Sequence, residues 1–287
     1  MANLKEIRNR ITSIKSTMQI TSAMKMVSAA KLKKAQDAIT AMRPYSSKLS
    51  ELLQNLSASL DSDASSEYSK PREVSKVLIV AITSNRGLCG GFNSSITKGV
   101  MRTIQEKYSD VKVDIFSIGK KGGDVLAKKV SVVEKRNDIY DDLTFDNVAA
   151  IAEELMALYT NKTYDKIELV YNQFKNAATQ ITQVEQFLPI KPIDGEREIS
   201  DADYIFEPSK EEIVLALIPK SLKTQLYKAI RDSFASEHGA RMTAMHKATD
   251  NAKDLRDGLL LTYNKARQAA ITNEILEIVG GAEALKN

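Results

Sequence analysis

Cysteine occurs once in this chain, at Cys89, and tryptophan does not occur at all. One thiol closes no internal disulfide, so packing must hold the fold, and a reducing compartment is expected. Histidine is nearly as scarce. His238 and His246 have no cysteine nearby and no carboxylate cluster around them, so no metal site is expected. No apolar run is long enough to span a bilayer; the densest, Val77 to Ile82, falls far short. The opening MANLKEIRNRI has neither the apolar core of a signal peptide nor the acid-free composition of a transit sequence. Any membrane association is therefore expected to be indirect. Acids are almost missing up to Leu60: only Glu6, Asp37 and Glu51 oppose Lys5, Arg8, Arg10, Lys15, Lys25, Lys31, Lys33, Lys34, Arg43 and Lys48. The formal charge of the chain is only +4, so this basic stretch is a local feature. It suits an acidic partner or nucleic acid, and equally a solvated helix face.

What the chain has in quantity is helical periodicity at both ends. Leu4, Ile7, Ile11, Ile14, Met18, Thr21, Lys25, Ser28, Leu32, Ala35, Ile39 and Met42 alternate in steps of three and four, and Ser46, Leu49, Leu53, Leu56 and Leu60 resume the series. This is a heptad seam. It predicts a helix of about 85 Å, with a kink at Pro44. Ile20, Ala23, Met24, Val27 and Ala30 form a second stripe, so this helix should be buried on two sides. From about Lys210 to Ala284 a longer pattern contains Leu222, Leu226, Ile230, Phe234, Met245, Ala248, Ala252, Leu255, Leu259, Ala266 and Ala269, with Pro219 marking a bend or the true start. At about 110 Å it should overhang the first helix. The overhang carries Ile271, Ile275, Leu276, Ile278 and Val279 around most of its circumference. Such a tip must enter a sleeve, oligomerise or fold back; the sleeve is preferred here.

The middle of the chain reads differently. Val77–Ile82, Val113–Ile118 and Ile167–Tyr171 read as strands, with Gln180–Leu188 as a further candidate. Helical patterns near Ser94–Lys107, Gly122–Lys129 and Phe145–Tyr159 alternate with them. That alternation predicts a mainly parallel, Rossmann-like sheet. The fold class expected is therefore α/β plus a long antiparallel two-helix coiled coil. Its expected divisions are an N-terminal helix at 1–60, a linker at 61–76, the α/β domain at 77–188, a second linker at 189–209 and the C-terminal helix at 210–287.

No set of residues here predicts catalysis. TSNRGLCGGFN, Thr83 to Asn93, follows a strand and opens a helix, where phosphate loops lie. It lacks the GxGxxG pattern and the GK[ST] ending, and its glycines serve tight turns equally well. No nucleophile–base pair stands out. Arg241, Asp250, Asn251, Asp254, Asn264, Arg267, Gln268, Thr272 and Asn273 punctuate the second helix. They either fix coiled-coil register or face an outside loop.

ITSAMKMVSAAKLKKA, Ile20 to Ala35, resembles the N-terminal signature of the γ subunit family of F-type ATP synthases. EHGARMTAMHKATDNAKDL, Glu237 to Leu255, and YNKARQAAITNEILEIVGGAEAL, Tyr263 to Leu285, resemble the C-terminal signature, and TSNRGLCGGFN resembles the loop of the α/β domain. These matches follow the family's order along the whole chain. The resemblance implies a central rotor shaft without catalytic residues, cofactor or metal. The shaft couples proton-driven turning of the c-ring to the catalytic β subunits, and regulates ATPase activity and proton flow. Its implied partners are the α3β3 ring, the ε subunit and the c-ring, with no nucleic acid, and membrane contact only through the c-ring. Met24, Lys31, Lys33, Lys34, Arg241, Arg267, Gln268 and Thr272 match β-subunit contacts. The overhang matches the part seated in the sleeve at the top of the ring. Arg86, Gly87, Leu88, Cys89, Gly90, Gly91 and Tyr204 match the region facing ε and the c-ring. No chloroplast-type insertion with a redox cysteine pair is seen. A bacterial source is expected, with the protein peripheral on the cytoplasmic side of the plasma (inner) membrane. Two rivals remain: a nucleic-acid-binding or chaperone coiled coil, and a nucleotide-dependent enzyme using the α/β domain.

Overall fold

A computed structural model describes residues 4–57, 68, 72–190 and 210–284. The elements in chain order are α1 (Leu4–Ser57), β1 (Lys76–Ile82), α2 (Phe92–Lys107), β2 (Lys112–Ile118), α3 (Lys120–Leu126), β3 (Ser131–Arg136), α4 (Phe145–Thr160), β4 (Lys166–Phe174), β5 (Gln180–Leu188) and α5 (Lys210–Ala284). By internal contacts the chain divides into two units, one of Met1–Ser28 with Met242–Asn287 and one of Ala29–Arg241.

In the Ala29–Arg241 unit, five strands lie in the order β3-β2-β1-β4-β5. β1 pairs in parallel with β2 and β4, β2 in parallel with β3, and β4 antiparallel with β5. β1, KVLIVAI, is central and covered on both faces, which is why its sequence is continuously apolar rather than alternating. One face, with Leu78, Val80, Ile82, Phe116 and Ile118, packs against α4 and against Leu222, Leu226, Ala229 and Ile230 of α5. The other face, with Val77, Ile79, Ala81 and Ile115, packs against Phe92, Ile96 and Val100 of α2 and Leu126 of α3. Each fully buried Leu, Ile or Phe contributes about 1.5–3 kcal/mol through lost water contact. Small residues let α5 run close over the strand ends: Ser233 Oγ donates to Ile82 O at 3.3 Å and Ser236 Oγ to Asn172 O at 2.9 Å.

β3 was not anticipated. Its sequence SVVEKR alternates between exposed and half-buried residues because it is an edge strand. α3 begins at Lys120, tighter than expected, because Gly119 takes φ 98° directly against Thr83. A Cβ there would overlap the Thr83 backbone, so this turn requires glycine.

In the other unit, Thr249 Oγ1 donates to Thr21 Oγ1 at 2.8 Å, and Lys25 Nζ lies 3.4 Å from His246 Nδ1. One index falls as the other rises, so these stretches of α1 and α5 are antiparallel. The heptad seam of α1 is visible in its burial: every seam position from Leu4 to Leu49 is buried or half-buried. α1 continues as helix through Pro44, and α5 runs through Pro219, which is therefore not its start. On α5 the seam follows Met245, Thr249, Ala252, Arg256, Leu259, Tyr263, Ala266 and Ala270. Leu255, expected on that seam, is 61% exposed, and Ala269 is exposed as well. The half-buried Arg256 takes the Leu255 position because its aliphatic stem can line a seam while its charged end reaches water.

Candidate functional site

The candidate contact residues fall in three places. The first is α1. Of the second stripe, Ile20 is 60% and Val27 58% exposed. Ala23 and Ala30 are also exposed and Met24 is half-exposed. The stripe therefore has no covering element among the described residues. Lys31, Lys33 and Lys34 are exposed one turn further along. Exposed apolar side chains favour burial against other apolar groups, and exposed lysines favour acidic ones.

The second place is the end of α5. Pairing of Thr21 with Thr249, stepped outward at equal rise, brings Leu4 level with about Ala266. Residues beyond that level have no partner on α1. Ile271, Ile275, Leu276, Ile278 and Val279 are all exposed, Ile278 at 71%. Arg267, Gln268 and Thr272 are exposed at the base of this segment. Thr272 Oγ1 donates to Gln268 O at 2.9 Å, a local helix bond that leaves the Gln268 side chain outward. Exposed Leu260 and Leu261 went unnoticed in the sequence, because apolar residues beside a heptad seam read as part of its core.

The third place is the β1–α2 loop. Leu88 is 65% exposed and adopts φ 61°, the left-handed region that a leucine seldom occupies. Gly90 follows at φ 57°. Arg86, Gly90 and Gly91 are exposed and Gly87 is half-exposed. Two expected contact residues turn inward instead. Cys89 is buried, with Asn93 Nδ2 donating to its Sγ at 3.2 Å and Ser84 Oγ lying 3.7 Å from that sulfur. It packs under the loop because the turn at Leu88 reverses the chain. Arg241 is 7% exposed, since Glu237, His238 and the loop carbonyls enclose it. Tyr204 lies outside the described residues.

Arg241 lies in a buried polar cluster with Glu237 and His238. Its Nη1 meets Glu237 Oε1 at 2.7 Å and His238 Nδ1 at 3.3 Å. A guanidinium only donates, so Nδ1 accepts and neutral His238 carries its proton on Nε2. That Nε2 is buried without a hydrogen-bond partner. Burial first, then the charges of Arg241 and Lys31, push His238 down to about 3. Burial raises Glu237 above the usual carboxylate value, opposed by Arg241, Lys31 and Arg86. Phe234 stands edge-on to His238 at 4.5 Å and stacks on Tyr140 at 6.1 Å.

Among the described residues, no cluster of three or more His, Cys, Asp and Glu is placed to hold a metal, and no helix is long and apolar enough to cross a membrane. Ser84 Oγ donates to Arg86 O at 2.7 Å, and Asn93 Oδ1 accepts from Ser84 N at 3.0 Å, so these polar groups serve the β1–α2 loop itself.

These features define a class: an antiparallel two-helix coiled coil with an inserted, mostly parallel α/β sheet. Residues 3–285 match the family model described as ATP synthase. The chain is 72% identical over 286 residues to the ATP synthase gamma chain of Flavobacterium psychrophilum, covering 100% of both chains. It is 68% identical to that of Christiangramia forsetii, covering 99% of both. The chain belongs to the ATP synthase gamma chain family. Among solved structures it resembles a chain of the central stalk and c-ring of the Tetrahymena thermophila mitochondrial ATP synthase, at 27% identity and TM-score 0.59, covering 80% of this chain and 99% of that one. A chain of the Euglena gracilis mitochondrial enzyme in rotational state 3 matches in fold with TM-score 0.69 at 22% identity, covering 98% and 94%.

Proposed function

We propose that this chain is the non-catalytic rotor shaft of an F-type ATP synthase, turned by the c-ring and acting on the catalytic β subunits of the α3β3 ring. The observation that carries this reading is the exposed apolar end of α5. Five large aliphatic residues point outward beyond the reach of α1, which a protein working alone would bury. A sleeve of apolar residues can hold such a tip and still let it turn, because burial is non-directional whereas fixed ion pairs would resist rotation. Family membership and the central-stalk likeness support the same assignment.

In this mechanism the helix pair presents different residues around its circumference. Met24, Lys31, Lys33 and Lys34 lie on α1, and Arg267, Gln268 and Thr272 on α5. Each β subunit meets a different set at any moment. Those differential contacts bias the β subunits between open and closed states, so identical sites hold different affinities. Turning the shaft exchanges the sets. At the sheet unit, Arg86, Gly87, Leu88, Gly90 and Gly91 face ε and the c-ring. Through these contacts the protein is held peripherally on the cytoplasmic side of the bacterial plasma (inner) membrane and regulates ATPase activity and proton flow. The functional divisions are the two long helices, at 1–60 and 210–287, and the α/β domain at 77–188.

A tagged copy of the full chain, recovered gently from native membranes, tests the assignment. Recovery of α, β and ε with ATPase activity is the expected result. A lone chain, or one that carries nucleic acid released by salt, would overturn it.

A further inference from the structure

The guanidinium of Arg241 has no unused donor. Nε donates to Gly87 O at 3.4 Å, and Nη2 donates to the same carbonyl at 3.3 Å and to Arg86 O at 3.1 Å. Nη1 meets Glu237 and His238, as described. Two successive carbonyls thus converge on one planar cation. The residue that follows them is Leu88, in the left-handed region with its side chain in solvent. For a leucine this conformation is unfavourable, because its Cβ crowds the following carbonyl oxygen. Solvent exposure gives the side chain no burial to offset that cost. The captured carbonyls can.

We infer that Arg241 is a positioning residue: by gripping the Arg86 and Gly87 carbonyls from α5, it holds the β1–α2 loop in the strained form that projects Leu88. Glu237 balances the buried charge, and His238, with its acceptor nitrogen turned to Nη1, fixes the plane of the fork. Lysine cannot substitute, because a point charge with three donors on a flexible stem cannot span two carbonyls, a carboxylate and an imidazole at once. The inference rests on the rotor reading only for what Leu88 meets; the clamp itself is a property of the free chain. In that reading Leu88 is the apolar part of the loop that the rotor partners contact, and α5 sets its direction.

The test uses the full-length chain, free and assembled. In R241K, hydrogen exchange of the amides at 86–91 should rise at least about tenfold, the cost of losing a charge-assisted bond, while that of strand β1 stays unchanged. E237Q, which keeps the shape and removes the counter-charge, should loosen the same segment selectively. L88N, whose side chain tolerates the left-handed region, should leave loop exchange unchanged but reduce retention of ε and the c-ring on the purified complex. R241K should reduce that retention too, and the double variant should be no worse than L88N alone. Unchanged loop exchange in R241K or E237Q, or a uniform rise that includes β1 in both, overturns the clamp. Full partner retention by L88N overturns its role in presenting Leu88. If the wild-type chain retains no rotor partner, the rotor reading fails, and loop exchange still decides the clamp.

Discussion

His238 sits neutral inside the sheet unit, and unfolding returns it to an ordinary value of about 6.5. Its folded value of about 3 lies below that. Between the two, the unfolded chain binds more protons. The stability this residue contributes is therefore present above about pH 6.5 and is lost as pH falls toward 3, at up to about 1.4 kcal/mol per pH unit. The raised Glu237 carboxyl works in the opposite sense, because its folded form takes a proton more readily than its unfolded form. The clean prediction is a difference. H238N, whose amide oxygen can still accept from Arg241, should lose less stability than wild type as pH falls from about 6.5 to 4. Urea unfolding at stepped pH checks this, and parallel curves would refute it. Met24 offers a second test. In M24K an added cation stands at a half-exposed position of α1, and in the proposed mechanism it strengthens one rotational stop against an acidic β loop. ATP made per proton translocated should fall severalfold; wild-type coupling would show that this contact is unimportant. Neither the inward turn of Arg241 nor that of Cys89 was legible in the sequence. Both depend on where a loop from β1 lands against α5, a long-range contact with no local periodicity.

At the scale of elements, the regular features were legible and the compensated ones were not. The α1 seam could be read residue by residue because one heptad register accounts for all its buried positions. On α5 the register drifted by one at Leu255, since choosing apolar identity over spacing overlooks an arginine stem as packing surface. β1, β2 and β4 showed as apolar runs. β3 did not, because an edge strand needs few apolar residues and SVVEKR has two. The end of α5 carries the element-scale prediction. Deleting 275–287 should leave the sheet unit folded, with thermal unfolding of its core unchanged, because Ile275, Leu276, Ile278 and Val279 are exposed rather than part of a core. ATP-driven proton pumping by the assembled enzyme should drop at least severalfold as the apolar tip is lost. Unchanged pumping would remove the sleeve from the account.

For the whole molecule, the formal charge of +4 conceals a basic α1, so charge alone left nucleic acid and an acidic protein partner equally open. The exposed apolar residues separate them. Ile20 and Val27 on α1 and the end of α5 form surfaces that a nucleic acid would not bury and that protein subunits would. The central claim is that this chain turns within its ring, and direct observation of rotation tests it best. Lys107, exposed at the end of α2, can be changed to cysteine to carry a marker, since Cys89 is buried and leaves the new thiol as the reactive one. With the ring fixed by its β subunits, adding ATP should drive the marker steadily around in one direction. ATP hydrolysis at a normal rate with a stationary marker would contradict the account.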